Sequence, residues 1–143
     1  MEITPRSNTQ IISPHILVID DDDAIQAILK LSLESEGYQV TCAFSAIEAI
    51  DFLKKNPLRF DLMILDLCMP QMNGLQFAEH VKAQKLTETK SIPIVVSSAT
   101  NRPFEKEAAA NFDYFLPKPF DLNLLFEVCE RLTTHSTTHT TSH

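Results

Sequence analysis

Leu62-Met63-Ile64-Leu65-Asp66-Leu67-Cys68-Met69-Pro70-Gln71-Met72-Asn73-Gly74 is the stretch on which the fold turns. Its first four residues are apolar without a break, the pattern of a strand buried on both faces. The run stops on a carboxylate. An acid at the C-terminal tip of a buried strand lies where open α/β sheets place their ligands. Working outward, three more apolar runs end in polar groups. Ile16-Leu17-Val18-Ile19 ends in Asp20-Asp21-Asp22-Asp23, Ile94-Val95-Val96 in Ser97-Ser98-Ala99-Thr100, and Tyr114-Phe115-Leu116 in Pro117-Lys118-Pro119-Phe120.

Helical patterns separate these runs. Asp22 or Asp23 is placed to cap a helix with Ile25, Ile28 and Leu29 on one face, ending at Gly37. Tyr38 to Ala43 reads as a strand. Ser45-Ala46-Ile47-Glu48 is a capping-box pattern, and Ala46, Ala49, Ile50 and Leu53 follow at helical spacing, with Pro57 beyond. Further helices are expected from about Asn73 to Gln84, near Pro103 to Ala110, and after Asp121, with Leu125, Val128 and Leu132 on a common face. Strand and helix thus alternate five times, which predicts parallel strands joined by right-handed crossovers. The first, third and fourth strands are continuously apolar and belong in the centre. The second, with Gln39 and Thr41, and the short fifth belong at the edges. The predicted fold is a three-layer α/β domain, a flavodoxin-like (βα)5 doubly wound parallel sheet of order 2-1-3-4-5.

The chain has 143 residues, 44% of them hydrophobic, enough for one domain with a real core. A net charge of −7 argues against binding nucleic acid by phosphate neutralisation, so no DNA partner is expected. No apolar run approaches the roughly 20 residues of a membrane span. Met1 to Pro14 lacks the basic and apolar segments of a secretory signal, so a cytoplasmic protein with no membrane partner is expected. Cys42, Cys68 and Cys129 are widely spaced and read as reduced thiols. Residues 1–14 read as a flexible arm, 15–132 as the folded domain, and 133–143 as a disordered Thr/Ser/His-rich tail. His135, His139 and His143 recur there at four-residue spacing, but threonine and serine form helices poorly.

The four strand ends offer paired acids, a lone acid, hydroxyls and an amine. Asp20, Asp21 and Asp66 are the hard oxygen ligands that Mg²⁺ takes. Asp66 is the candidate nucleophile for a phosphoryl group, which needs alignment and charge neutralisation. Lys118, framed by two prolines, is placed to pair with Asp66, and Lys118-Pro119 is a candidate cis bond. Ser98 offers a hydroxyl on the face opposite to Ser97. Each has a plainer reading: helix caps for the acid pair, a turn cap for Asp66, a solvated lysine, ordinary turn serines. The plainer readings leave the coincidence of all four unexplained.

Together these motifs resemble a bacterial response-regulator receiver domain of the CheY-like superfamily, over about residues 15–132. The resemblance implies a phosphoacceptor switch of a two-component system. Asp66 would take the phosphoryl group from a sensor histidine kinase or a His phosphotransfer protein. Asp20, Asp21, Asp66 and the backbone carbonyl of Cys68 would hold Mg²⁺, with Mn²⁺ as a substitute. Ser98 and Lys118 would bind the phosphoryl group, Phe115 would be the switch aromatic, and Cys68 and Thr100 would tune dephosphorylation. The output would pass to an unidentified downstream protein through the face made by the fourth and fifth strands and helices. Residues 133–143 are too few to fold, so the likeness is to stand-alone receivers. Such a domain is not an enzyme acting on a separate substrate, though it catalyses its own Mg²⁺-dependent phosphorylation and dephosphorylation. The alternative is a phosphorelay intermediate passing phosphate to a His phosphotransfer domain. More distant is a haloacid-dehalogenase-like phosphatase, in which the Asp66–Gly74 motif would have no role.

Overall fold

The computed structural model describes residues 13–55, 60–67, 76–77, 92–99 and 112–141. Its helices begin where side chains satisfy the open backbone groups. Asp22 caps α1 (Asp23–Ser35), its carboxylate accepting from Ala24 N and Ile25 N. At the other end Gly37 adopts φ 95°, which glycine reaches without a side-chain clash. Gly37 N then bonds Glu34 O and Tyr38 N bonds Leu33 O, turning the chain back toward the sheet. The capping box opens α2 (Ala46–Lys55): Glu48 N donates to Ser45 Oγ at 3.0 Å, and Phe44 N donates to Glu48 Oε1 at 2.7 Å. Asp121 caps α3 (Leu122–Thr141) through Asn123 N and Leu124 N.

The strands are β1 (His15–Ile19), β2 (Gln39–Ala43), β3 (Leu62–Asp66), β4 (Ile94–Ser98) and β5 (Tyr114–Pro117). They form one sheet in the order β2-β1-β3-β4-β5, every neighbouring pair parallel, as the sequence predicts. β3 and β4 are buried along their whole length, whereas β2 and β5, at the edges, are not. Alternation splits the core in two. Ile16, Val18, Leu62, Ile64, Val95 and Leu116 meet α1 and α3 on one face. Leu17, Ile19, Met63, Leu65 and Val96 meet α2, Phe60 and Phe77 on the other. The result is three layers.

Two expectations are corrected. The buried stripe of α1 is Gln26, Leu29 and Leu33, while Ile28 is 51% exposed. Apolar residues surround this helix, so periodicity alone does not fix its phase; the Tyr38–Leu33 closure does, by turning Leu33 to the sheet. The disorder expected from residue 133 is replaced by helix through Thr141. Leu125, Val128 and Cys129 anchor the helix, and buried Thr133 donates its hydroxyl to Cys129 O at 2.7 Å. From such an anchor each further residue adds a hydrogen bond without a new nucleus. Residues 1–12 of the expected arm lie outside the described residues, as do the helix expected near 103–110 and all of the 73–84 helix except Gln76 and Phe77, which are helical. Among the described residues no helix is long and apolar enough to cross a membrane.

Candidate functional site

The parallel sheet brings its C-terminal strand ends to one edge. Asp20 follows β1 directly, Asp66 is the last residue of β3, Ser98 the last of β4, and Lys118 follows β5. Backbone bonds fix the spacing: Leu67 N donates to Ser97 O at 3.1 Å, and Lys118 N to Ser98 O at 2.9 Å. The Lys118-Pro119 peptide bond is cis.

Asp20 is held from several directions. Its N–H donates to Ala43 O at 3.1 Å. Its Oδ1 accepts from Asp22 N at 2.9 Å, so the cap of α1 and the acid beside it are braced together. Its Oδ2 lies 3.0 Å from Lys118 Nζ, which also stands 3.5 Å from Asp66 Oδ1. Asp20 and Asp66 are nearly buried and Asp21 is exposed. The three carboxylates each offer an oxygen, all within 4.8 Å of one another.

Burial alone would lower the pKa of Lys118. The hydrogen bond that Lys118 donates to Asp20, with the charges of Asp20 and Asp66, outweighs it and raises that pKa above the ordinary 10.5. The ammonium is therefore charged throughout the neutral range. Among the described residues, one ammonium against three carboxylates leaves negative charge in excess. The donor set, all oxygen and anionic, fits a small hard cation such as Mg²⁺ or Mn²⁺ and does not fit a soft one.

Ser98 and Phe115 share a sheet face. Val96 and Phe115 are register partners, Ser98 lies two residues past Val96, and Phe115 packs against the cluster containing Val96. Ser97, one residue earlier, is the register partner of Asp66. Cys68 and Thr100 lie outside the described residues.

The sequence reading missed Gln26. This α1 residue is 2% exposed, and its Nε2 donates to Val18 O at 3.0 Å, Asp20 O at 3.1 Å and Ala43 O at 2.8 Å. The signal was present: an amide falls in register with Leu29 and Leu33, where an apolar residue would be expected.

The response regulator receiver domain family model matches residues 16–130. The response regulator MprA of Mycobacterium bovis is 36% identical over 115 residues, covering 79% of this chain and 47% of that protein. The chain thus spans about half the length of the curated relatives it matches. Among solved structures, the chemotaxis protein CheY4 of Vibrio cholerae is 28% identical with a TM-score of 0.74, over 85% of this chain and 99% of that one. The receiver domain of the sensor histidine kinase PA1611 from Pseudomonas aeruginosa, solved with a magnesium ion in its active-site cleft, is 23% identical. Its TM-score is 0.74, over 86% of this chain and 99% of that one, a likeness of fold.

Proposed function

The chain belongs to the response regulator receiver family, and on that basis we propose that it is a phosphoacceptor switch whose Asp66 takes a phosphoryl group from a phosphohistidine. The donor would be a sensor histidine kinase or a His phosphotransfer protein. The observation that carries the proposal is the convergence of Asp20, Asp21 and Asp66 with Lys118 at one sheet edge.

In the proposed reaction an Asp66 oxygen attacks phosphorus. The phosphorus–nitrogen bond breaks, and the imidazole leaves with the electron pair and takes up a proton. Asp20, Asp21 and Asp66 would hold the divalent ion, with the Cys68 carbonyl as a further ligand. When bound, Mg²⁺ supplies charge neutralisation and a template for the phosphoryl oxygens. Lys118 starts paired with the carboxylates of Asp20 and Asp66. Once Asp66 carries the phosphoryl group as an acyl phosphate, the Lys118 ammonium would already be close to the new oxygens, so little reorganisation would be needed. Ser98 would donate its hydroxyl to another phosphoryl oxygen. Phe115, on the same sheet face, would follow into the space Ser98 leaves and carry the change to the face built from β4, β5 and α3.

The test is intact mass after incubation with Mg²⁺ and a small acyl phosphate. The unmodified protein should gain one phosphoryl group that hydroxylamine removes, and Asp66→Asn should gain none. An equal gain by Asp66→Asn overturns the assignment.

A further inference from the structure

We propose that Gln26 is a positioning residue of this site, setting the placement of Asp20 and through it the affinity for a divalent cation. The inference rests on the reading of Asp20, Asp21 and Asp66 as a cation site.

Gln26 is a costly residue to bury. Its side-chain oxygen has no hydrogen-bond partner among the described residues, and an orphaned buried acceptor is a net penalty. A methionine or leucine would continue the Leu29 and Leu33 stripe without that penalty. What the amide provides is two N–H groups beneath the junction of β1 and the loop that carries the acids. The carbonyls of Val18, Asp20 and Ala43 converge on it. Three carbonyl oxygens around one atom also fix which end of the amide is nitrogen, since oxygen there would face only acceptors.

The consequence runs through Asp20. Its peptide N–H is bonded to Ala43 O, and Ala43 O is the nearest of the acceptors of Gln26. Its own carbonyl is bonded to Gln26 as well. Both ends of Asp20 are therefore referred to one buried side chain, and the β1 and β2 ends are tied together at the same point. Mg²⁺ demands near-ideal octahedral distances, so a small shift in one carboxylate weakens binding at all of them. Gln26 touches neither the cation nor the phosphoryl group. It acts by holding Asp20 against the pull of Lys118 from one side and the crowding of Asp21 and Asp66 from the other.

The test compares Gln26→Met, which keeps length and loses both donors, with the unmodified protein and with Val128→Ala, a core deletion remote from the acids. Mg²⁺ is titrated by calorimetry, and stability is followed by urea denaturation. Gln26→Met is expected to bind Mg²⁺ about tenfold more weakly, the low end of what loss of an outer partner costs a metal site. Val128→Ala, though destabilised, should bind within about twofold of the unmodified protein. Equal Mg²⁺ affinity in Gln26→Met and the unmodified protein would reduce Gln26 to a structural brace and overturn the proposal. No Mg²⁺ binding by the unmodified protein would overturn the cation-site reading itself. Should Gln26→Met not fold, the side-chain amide of Gln26 in the unmodified protein serves by NMR. Its signals are expected to shift with the same midpoint as Mg²⁺ binding, and signals that stay still through saturation overturn the proposal.

Discussion

Lys118 reaches across 98 residues of sequence to put its ammonium 3.0 Å from Asp20. Replacing it by methionine deprives two buried carboxylates of the counter-charge that Lys118 supplies. Removing one member of a fully buried pair costs about 3–5 kcal/mol. Lys118 keeps 15% exposure, so water screens part of the field, and a loss of about 2 kcal/mol is expected by urea denaturation near neutral pH. The pH dependence has a definite sign. A raised lysine pKa contributes its full stability below the ordinary 10.5 and loses it as pH climbs through the raised value. On the alkaline side of neutrality the gap between wild type and Lys118→Met should therefore hold constant and close only in strong alkali. Closure between neutral pH and the ordinary lysine value would show that the ion pair is not its source.

Elements bring a different lesson, in what ends them. Gly37 lies at φ 95°, and a Cβ built there meets nothing within 4 Å. The cost of Gly37→Ala is thus backbone strain alone, about 1 kcal/mol by urea denaturation, with Gly37→Asn milder. At the sheet edge opposite the acids, Asp61 and Asp113 each clasp a neighbouring strand. Asp61 N donates to His15 O while its carboxylate accepts from His15 N; Asp113 does the same for Ile94. His15 bonds Thr41 Oγ1 at 2.7 Å and leans on the Phe60 ring. Burial lowers its pKa below 6.5, and the Asp61 charge only partly opposes this. Its contribution is then complete above that value and is lost as pH falls through the lowered one. Urea denaturation of His15→Gln should lose less stability than wild type between neutral and mildly acidic pH; parallel losses would count against His15. The strand order was legible because β1, β3 and β4 are unbroken apolar runs, and the caps were legible because Asp22, Ser45 and Asp121 act within four residues. The clasps and Gln26 were not, because their partners are set by strand register rather than by local pattern, and the phase of α1 was not, because apolar residues lie on most of its faces.

At the scale of the whole molecule, one sheet face joins Ser98 to Phe115, so the switch proposed at Asp66 would have a route to the β5 surface. If that route operates, Phe115→Ala should abolish most of the gain in partner affinity that beryllofluoride produces in the wild type. An unchanged gain would make Phe115 ordinary core. The same sheet order has a consequence for the chain as it is being made. The acids arrive early, with β1 and β3, but the amine that pairs with two of them follows β5, the last strand of this sheet to be made. A nascent chain that ends short of β5 carries the acids without their counter-charge and lacks the strand that pairs with β4. Acceptance of a phosphoryl group at Asp66 would therefore require a chain made through β5, and chains truncated before that strand would stay unphosphorylated.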